Sequence, residues 1–495
     1  MGIKKYYSNK DNTITNAFGA NLITRGTGSN MGAADVLEAF VIHGQTSASI
    51  DAANAEQSRI IIQFPINSIQ SDISSGVLPA DTGSIKFHLN LYNAPHGSST
   101  PEDFTLDLKM LSQSWTEGRG LDMDNYSDLG VSNWVSASSG VSWASEGGSA
   151  LTGLNTSASV SFDTGLENIS IDVSEQVYKW LDTTDNYGFL VRFPDSAVSG
   201  SDSLYTKKFF GRTSEFYHYQ PTIEARWDSA RKDNRGNFYI SSSVAPAADN
   251  LNTLYLYNVI RGQLTNIPGL TNNELMVELY SGSTAPAGNA LTVISSAGSS
   301  VSAVTGGLLI ENGNTITGVY TASFASTSSL ETIFDVWHTG SGVSRTEFYT
   351  GSYEPLSVGT TDLLYDTVYL TTITNLEDNY KKGQKPKLRV FVRDKDWSPN
   401  IYTVANAAIE TTTVEDAYYS IHRSIDNLDI IPFGTGSSNN NFSRLSYDVS
   451  GNYFELDTSC LEPGYMYGIK FAYYLQGEYR EQPEVFKFKI EEDDV

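Results

Sequence analysis

Short alternating or continuous apolar runs recur along this chain. In "SIKFHLNLYNA" (84 to 94), Ile85, Phe87, Leu89 and Leu91 fall on one face while Lys86, His88 and Asn90 fall on the other. That period of two marks a half-buried strand and predicts His88 on the solvent side. "SRIIIQFPI" (58 to 66), "FTLDLKMLSQSW" (104 to 115) and "YGFLVRF" (187 to 193) are further short apolar runs of strand length. "DVSEQVYKWL" differs. Val173, Val177, Trp180 and Leu181 recur at helical spacing behind Ser174 and Glu175, which predicts one short amphipathic helix.

Beyond residue 228 the same grammar continues. "DSARKDNRGNFYISSSVAPAADN" (228 to 250) reads as a linker, rich in Ser, Ala, Asn and charge. "TLYLYNVI", "ELMVELYSG", "IFDVWHTG" and "EFYTGSY" follow, separated by Gly, Ser and Thr turns, and strands so spaced predict an immunoglobulin-like sandwich of roughly a hundred residues. Trp337 then belongs to a core strand and His338 to its exposed end. From about 358 the pattern repeats through "KLRVFVRDKDW", "AYYSIHRSID" and "YMYGIKFAYYL". It closes on "EVFKFKI", where Lys487 and Lys489 alternate with Phe486, Phe488 and Ile490.

Composition agrees with an all-β chain. There are 29 Tyr, 22 Phe and 41 Gly in 495 residues and only 18% charged residues, which favours pleated strands and tight turns over solvated helices. The formal charge of −25 and the lack of Lys/Arg clusters argue against a nucleic-acid backbone as partner, and against docking on an anionic membrane surface. No window approaches the roughly 20 apolar residues of a membrane span. The opening "MGIKKYYSNKDN" lacks the apolar stretch of a signal peptide and has Tyr6 where a myristoylation signal needs Ser or Thr. Assembly in a cytoplasm is the expectation. The single cysteine, Cys460, has no partner for an internal disulfide and reads as a small, partly buried apolar residue.

The phrases "KYYSNKDNTITNAF", "SRIIIQF", "LSQSWTEG", "SWASEGG", "ISIDVSEQVYKWL" with "NYGFLVRF", and "KKFFGRTSEFYHYQPTIEARW" occur in that order between residues 5 and 227. Together they resemble the DNRLRE-type jelly-roll domain, a module similar to carbohydrate-binding modules. Insertions at 70 to 83 and 195 to 206 interrupt the likeness, and "GRTSEF" stands where that family tends to have a Ser-Arg-Glu phrase. Later phrases, among them "PTIEARWDSARKDNRGNFY", "RVFVRDKDWSPNIYTVA" and "LSYDVSGNYFELD", resemble stretches of structural proteins of tailed bacteriophages, particularly marine ones. The resemblance implies a virion component of the neck, tail or baseplate, built in the host cytoplasm, whose partners are copies of itself and other virion proteins. The expected organisation is a jelly-roll β-sandwich over 1–228 and two immunoglobulin-like β-sandwiches over 229–357 and 358–495.

Candidate chemistry is sparse. The six histidines show no metal-ligand spacing, and no nucleophile elbow, Walker loop or dinucleotide fingerprint occurs. A non-enzymatic structural role is the leading expectation. A host-glycan-binding adsorption protein is the alternative, with Trp134 and Trp143 as exposed aromatics that would stack on sugar rings. A polysaccharide hydrolase is the third reading, since paired carboxylates on distant strands leave no local motif. No cofactor is expected apart from a calcium candidate. "SWTEGRGLDMDNYSD" (114 to 128) misses the EF-hand pattern, but Asp122, Asp124 and Asp128 with backbone carbonyls form a looser cage of hard oxygen ligands. The plainer reading has Trp115 anchored in the core while the acids face water or pair with Arg119.

Overall fold

A computed structural model describes residues 2–492 apart from 20, 22, 44–54, 96–99, 124–129, 183–184, 201, 357–367, 396–410, 437–438 and 476. It is an all-β protein of packed sheets. The chain divides into two compact units, one of residues 3–227 and the other of residues 1–2 and 228–495.

The first unit contains two large sheets that share its main apolar core, beside a small two-stranded sheet of Ser136–Ser138 and Val141–Ser142. One has the strand order Ile3–Tyr7, Thr222–Arg226, Lys86–Leu91, Ile169–Asp172. The other runs Leu204–Phe210, Val36–Ile42, Glu56–Gln63, Phe189–Arg192, Phe104–Met110, Ser157–Phe162, with Lys10–Thr15 also paired to Glu56–Gln63. Phe87, Leu89 and Leu91 from the first sheet, and Ile60, Ile62, Phe189 and Val191 from the second, belong to that core. The apolar run "SRIIIQF" is continuous for a physical reason. Its alternate residue Ile61 joins a second, smaller cluster with Ile14, Leu111, Leu190, Trp115, Trp134 and Trp143, so both faces of this strand are buried.

The expected helix forms over Ser174–Asp182, with Val177 and Trp180 buried, Glu175 in its first turn and Lys179 in its last. Those charges complement the helix dipole. Another helix, Ile66–Ser74, lies partly in the stretch read as an insertion. Ile66, Ile69 and Ile73 face the core from it.

His88 departs from its expected solvent position. It is buried within a charged row, where Lys5 meets Glu224 at 2.9 Å and Arg226 meets Glu224 at 2.7 Å. Burial, aided by Arg226, pushes the His88 imidazole down to about 4. Burial alone would raise Glu224, but Lys5 and Arg226 outweigh it and hold the carboxyl at about 2. A period of two identifies the face on which a side chain lies; here the polar face is enclosed as well, and its charges are compensated pairwise.

The second unit contains an eight-stranded sheet, in which Leu275–Ser281, Ile333–Thr339 and Thr346–Tyr353 lie side by side. It also has a four-stranded sheet ordered Tyr369–Ile373, Lys387–Asp394, Gly451–Glu455, Ser446–Asp448, and a six-stranded sheet built around Met466–Leu475 and Ala417–Arg423. Trp337 is fully buried as expected, whereas His338 is buried too, with Nε2 3.4 Å from Glu278. The closing strand Phe486–Glu491 keeps Lys487 and Lys489 exposed and buries Phe488 and Ile490.

The stretch read as a linker begins as a packed strap. Asp233, Asn234, Arg235, Asn237 and Phe238 are buried. On one side the strap bonds to Tyr447, whose N–H donates to Arg231 O and whose O accepts from Asp233 N. On the other it bonds to Thr253, whose O accepts from Asn234 N. Gly236 is required there, because a Cβ would lie 2.3 Å from the carbonyl oxygen of Asp448. Its composition reads as a linker, but these polar groups have partners far along the chain.

Candidate functional site

The acidic stretch after Trp115 is held by a framework of amides and one ion-paired carboxylate. Trp115 is buried and its Nε1 donates to Tyr187 O at 2.8 Å, as its anchoring role requires. Asn12 and Asn30, both buried, donate to Ser132 O at 3.2 and 2.7 Å. Asn30 Oδ1 also accepts from Gly32 N and Gly120 N, so the two ends of the segment are pinned to one side chain.

Glu117 does not pair with Arg119. Its carboxylate takes both Nε and Nη2 of Arg212, at 3.0 and 2.7 Å, and accepts from Asp11 N at 2.8 Å. Asp11 is fully buried. Its Oδ2 accepts from Arg212 N at 2.5 Å, and its Oδ1 has no hydrogen-bond partner among the described residues. Burial pushes this carboxyl up to about 7, with the neighbouring Glu117 adding to the rise and the Arg212 N–H and charge opposing it.

Of the calcium candidates, Asp122 is exposed and forms a β-bridge with Asn30. Asp124 and Asp128 lie outside the described residues. The one further acid of the segment, Glu117, is already engaged by Arg212. Among the described residues no three His, Cys, Asp or Glu side chains converge on a common point.

Trp134 and Trp143 are not exposed platforms. Each is 5% exposed and packs in the smaller core beside Trp115. Trp143 Nε1 donates to Asn133 O at 2.8 Å. Trp134 is covered by the guanidinium of Arg59, 4.7 Å from the ring centroid. Neither indole has a face open to a sugar. The tryptophans are inside because the seven-stranded sheet needs a cover on its second face, a demand that a local sequence window does not reveal.

The open aromatic surface is elsewhere. Tyr474 and Tyr479 stand opposite each other across the pairing of Met466–Leu475 with Glu478–Glu481. Their ring centroids are 4.9 Å apart, and they are 44% and 46% exposed. Buried Tyr418 meets Tyr479 edge-on at 5.6 Å, and Arg444 bonds the Tyr418 hydroxyl. In the first unit, Phe216, 47% exposed, packs with Phe210 and Tyr219. The phrases "FAYYLQGEY" and "KKFFGRTSEFYHY" carried these rings in sequence, but not which of them would face outward. Cys460 forms no disulfide and is half-buried.

No known protein family matches the chain, and no curated protein shows a significant match.

Proposed function

We propose that this protein is a non-enzymatic structural component of a tailed-phage virion, in the neck, tail or baseplate region, that works by packing against copies of itself and other virion proteins. The observation that carries the reading is the Tyr474–Tyr479 pair. Two large rings are held in register by cross-strand pairing and backed by the buried Tyr418, yet nearly half their surface meets solvent. Rigid aromatic area of this kind gives an interface large apolar contact at low entropic cost. The likeness of the later sequence phrases to tailed-phage structural proteins supports placing that interface in a virion.

The test is the mass of the full chain in solution by light scattering, measured over a series of concentrations for the native protein and for a Tyr474→Ser/Tyr479→Ser variant. The native chain is expected to form a defined multimer, and the variant is expected to stay monomeric with an unchanged far-ultraviolet spectrum. A native chain that remains monomeric throughout, or a multimer indifferent to the substitutions, overturns the role given to this pair.

A further inference from the structure

Within the second unit, the packed strap and the strand Asn252–Tyr257 border an open cleft of about 450 Å3. Its size lies within the roughly 300–1,000 Å3 range of small-molecule sites. Lys232, Tyr239, Asp249, Tyr255, Glu415 and Tyr447 are among its lining residues.

Its frame is preorganised. The Asn252 amide holds the backbone of Tyr239 from both sides, accepting from its N–H at 3.0 Å and donating to its carbonyl at 2.8 Å. Asn234 Nδ2 donates to Tyr447 Oη at 3.2 Å. The Tyr239 hydroxyl accepts from Asn237 Nδ2 at 2.6 Å and donates to Glu415 Oε2, so its ring is fixed at both ends while remaining 37% exposed.

Hydrogen-bonding capacity remains in the walls. Lys232 Nζ is 3.6 Å from Glu415 Oε1 and 3.7 Å from Asp416 Oδ1. Those distances give charge attraction but are too long for hydrogen bonds. The ammonium therefore has donors to offer a ligand, and Glu415 Oε1 can still accept. Lys232 and Arg444, whose Nη2 lies 3.3 Å from the same Asp416 Oδ1, stand against the three carboxylates Asp249, Glu415 and Asp416, so the site stays weakly net negative, which disfavours phosphate, sulfate or a nucleic-acid backbone.

A neutral ligand that is itself both donor and acceptor, with a flat C–H face for the tyrosine ring, meets all these terms. Sugar hydroxyls pair with carboxylate and ammonium alike, and the faintly positive C–H face of a pyranose matches the negative face of an aromatic ring. We propose that this cleft binds a neutral pyranose saccharide, with Tyr239 as the stacking surface and Lys232 and Glu415 as the hydrogen-bonding pair. The cleft draws on none of the first unit's tryptophans and on neither Tyr474 nor Tyr479, although the Tyr474 N–H donates to the neighbouring Asp416 O at 2.9 Å.

Saturation-transfer NMR on the full chain tests it, using methyl glucoside, methyl galactoside, methyl mannoside and N-acetylglucosamine as probes and arginine methyl ester as a cationic control. At least one pyranose is expected to receive saturation from the native protein. Tyr239→Ala should weaken that binding about tenfold or more, and Glu415→Gln should weaken it in the same direction. Tyr239→Phe, which keeps the ring, should retain it, and thermal unfolding identifies any variant that has lost its fold. Absence of transfer to every pyranose overturns the proposal. So does transfer that survives both Tyr239→Ala and Glu415→Gln, or binding of the arginine ester alone, which would make the cleft a site for basic side chains.

Discussion

The guanidinium of Arg235 meets the carboxylate of Asp335 through paired hydrogen bonds, Nε to Oδ1 at 3.1 Å and Nη2 to Oδ2 at 2.6 Å. Both side chains are buried. Nη1 reaches Asp233 at 3.0 Å, Trp337 Nε1 donates to Asp335 Oδ2 at 2.7 Å, and Tyr349 lies under the guanidinium at 5.3 Å. Burial pushes the Asp233 carboxyl up to about 6 even with Arg235 beside it, so the cluster is centred on the Arg235–Asp335 pair. The strap is thus bound by charge to the penultimate strand of the eight-stranded sheet, Ile333–Thr339.

Removing one member leaves the other buried and uncompensated. Arg235→Met should destabilise the second unit by about 3–5 kcal/mol, read as a lower urea midpoint in equilibrium unfolding of the full chain. Replacement of Arg231, whose pair with Glu311 is half-exposed on both sides, should cost about 1 kcal/mol or less. Equal effects from the two would show that the buried cluster is not what holds the strap.

Asp11 makes stability depend on pH in a direction opposite to most carboxylates. Its folded-state value, about 7, lies above the unfolded value of 3.8, so the native state retains a proton that the unfolded chain releases. The stabilisation is complete below pH 3.8, declines as the pH rises, and is gone above about 7. Asp11→Asn keeps the shape and removes the titration. The stability difference between native protein and variant should therefore shift with pH by up to about 1.4 kcal/mol per unit across that window, and a pH-independent difference would refute the assignment. Glu224 acts in the usual sense, with stability present above 4.5 and lost as the pH falls through about 2.

Much of the architecture was legible because burial follows backbone period. Phe87, Leu89 and Leu91 were placed by alternation, and Val177 with Trp180 by helical spacing. The helix Ile66–Ser74 was legible in principle from Ile66, Ile69 and Ile73, but the phrase likeness assigned part of it to an insertion. What could not be read was pairing at a distance. Arg235 meets an acid 100 residues away, and Glu117 meets Arg212 rather than the nearby Arg119. His88 and Trp134 are buried against the local pattern for a related reason, since that pattern shows which face a residue occupies but not what covers that face. The cleft around Tyr239 gave no local signal, because its residues come from the strap, a strand and the distant Glu415.

The smaller core of the first unit should behave as a core and not as a ligand surface. Trp134→Ala should cost about 3–5 kcal/mol, seen as an earlier thermal transition. Added oligosaccharide should not protect the native protein through this residue; protection lost specifically in Trp134→Ala would reinstate the indole as a sugar platform.

Gly118 is a position where one methyl group decides the outcome. A Cβ there would lie 2.1 Å from Oδ1 of Asn30, the atom that holds Gly32 and Gly120. Gly118→Ala should expel the Asn30 amide and free the acidic segment, raising amide hydrogen exchange at Gly32 and Gly120 by more than tenfold. Unchanged protection at both amides would show that Asn30 does not hold the segment.

Strand Ile3–Tyr7 pairs antiparallel with Thr222–Arg226, Ile3 opposite Arg226, so the first unit is closed by the two ends of its own sequence. During synthesis its earliest strand must wait for nearly its last, which delays completion of the sheet until the whole unit has left the ribosome. The same closure brings the unit's entry and exit points side by side, the geometry that lets a module be grafted into a surface loop of another protein without prising its host apart.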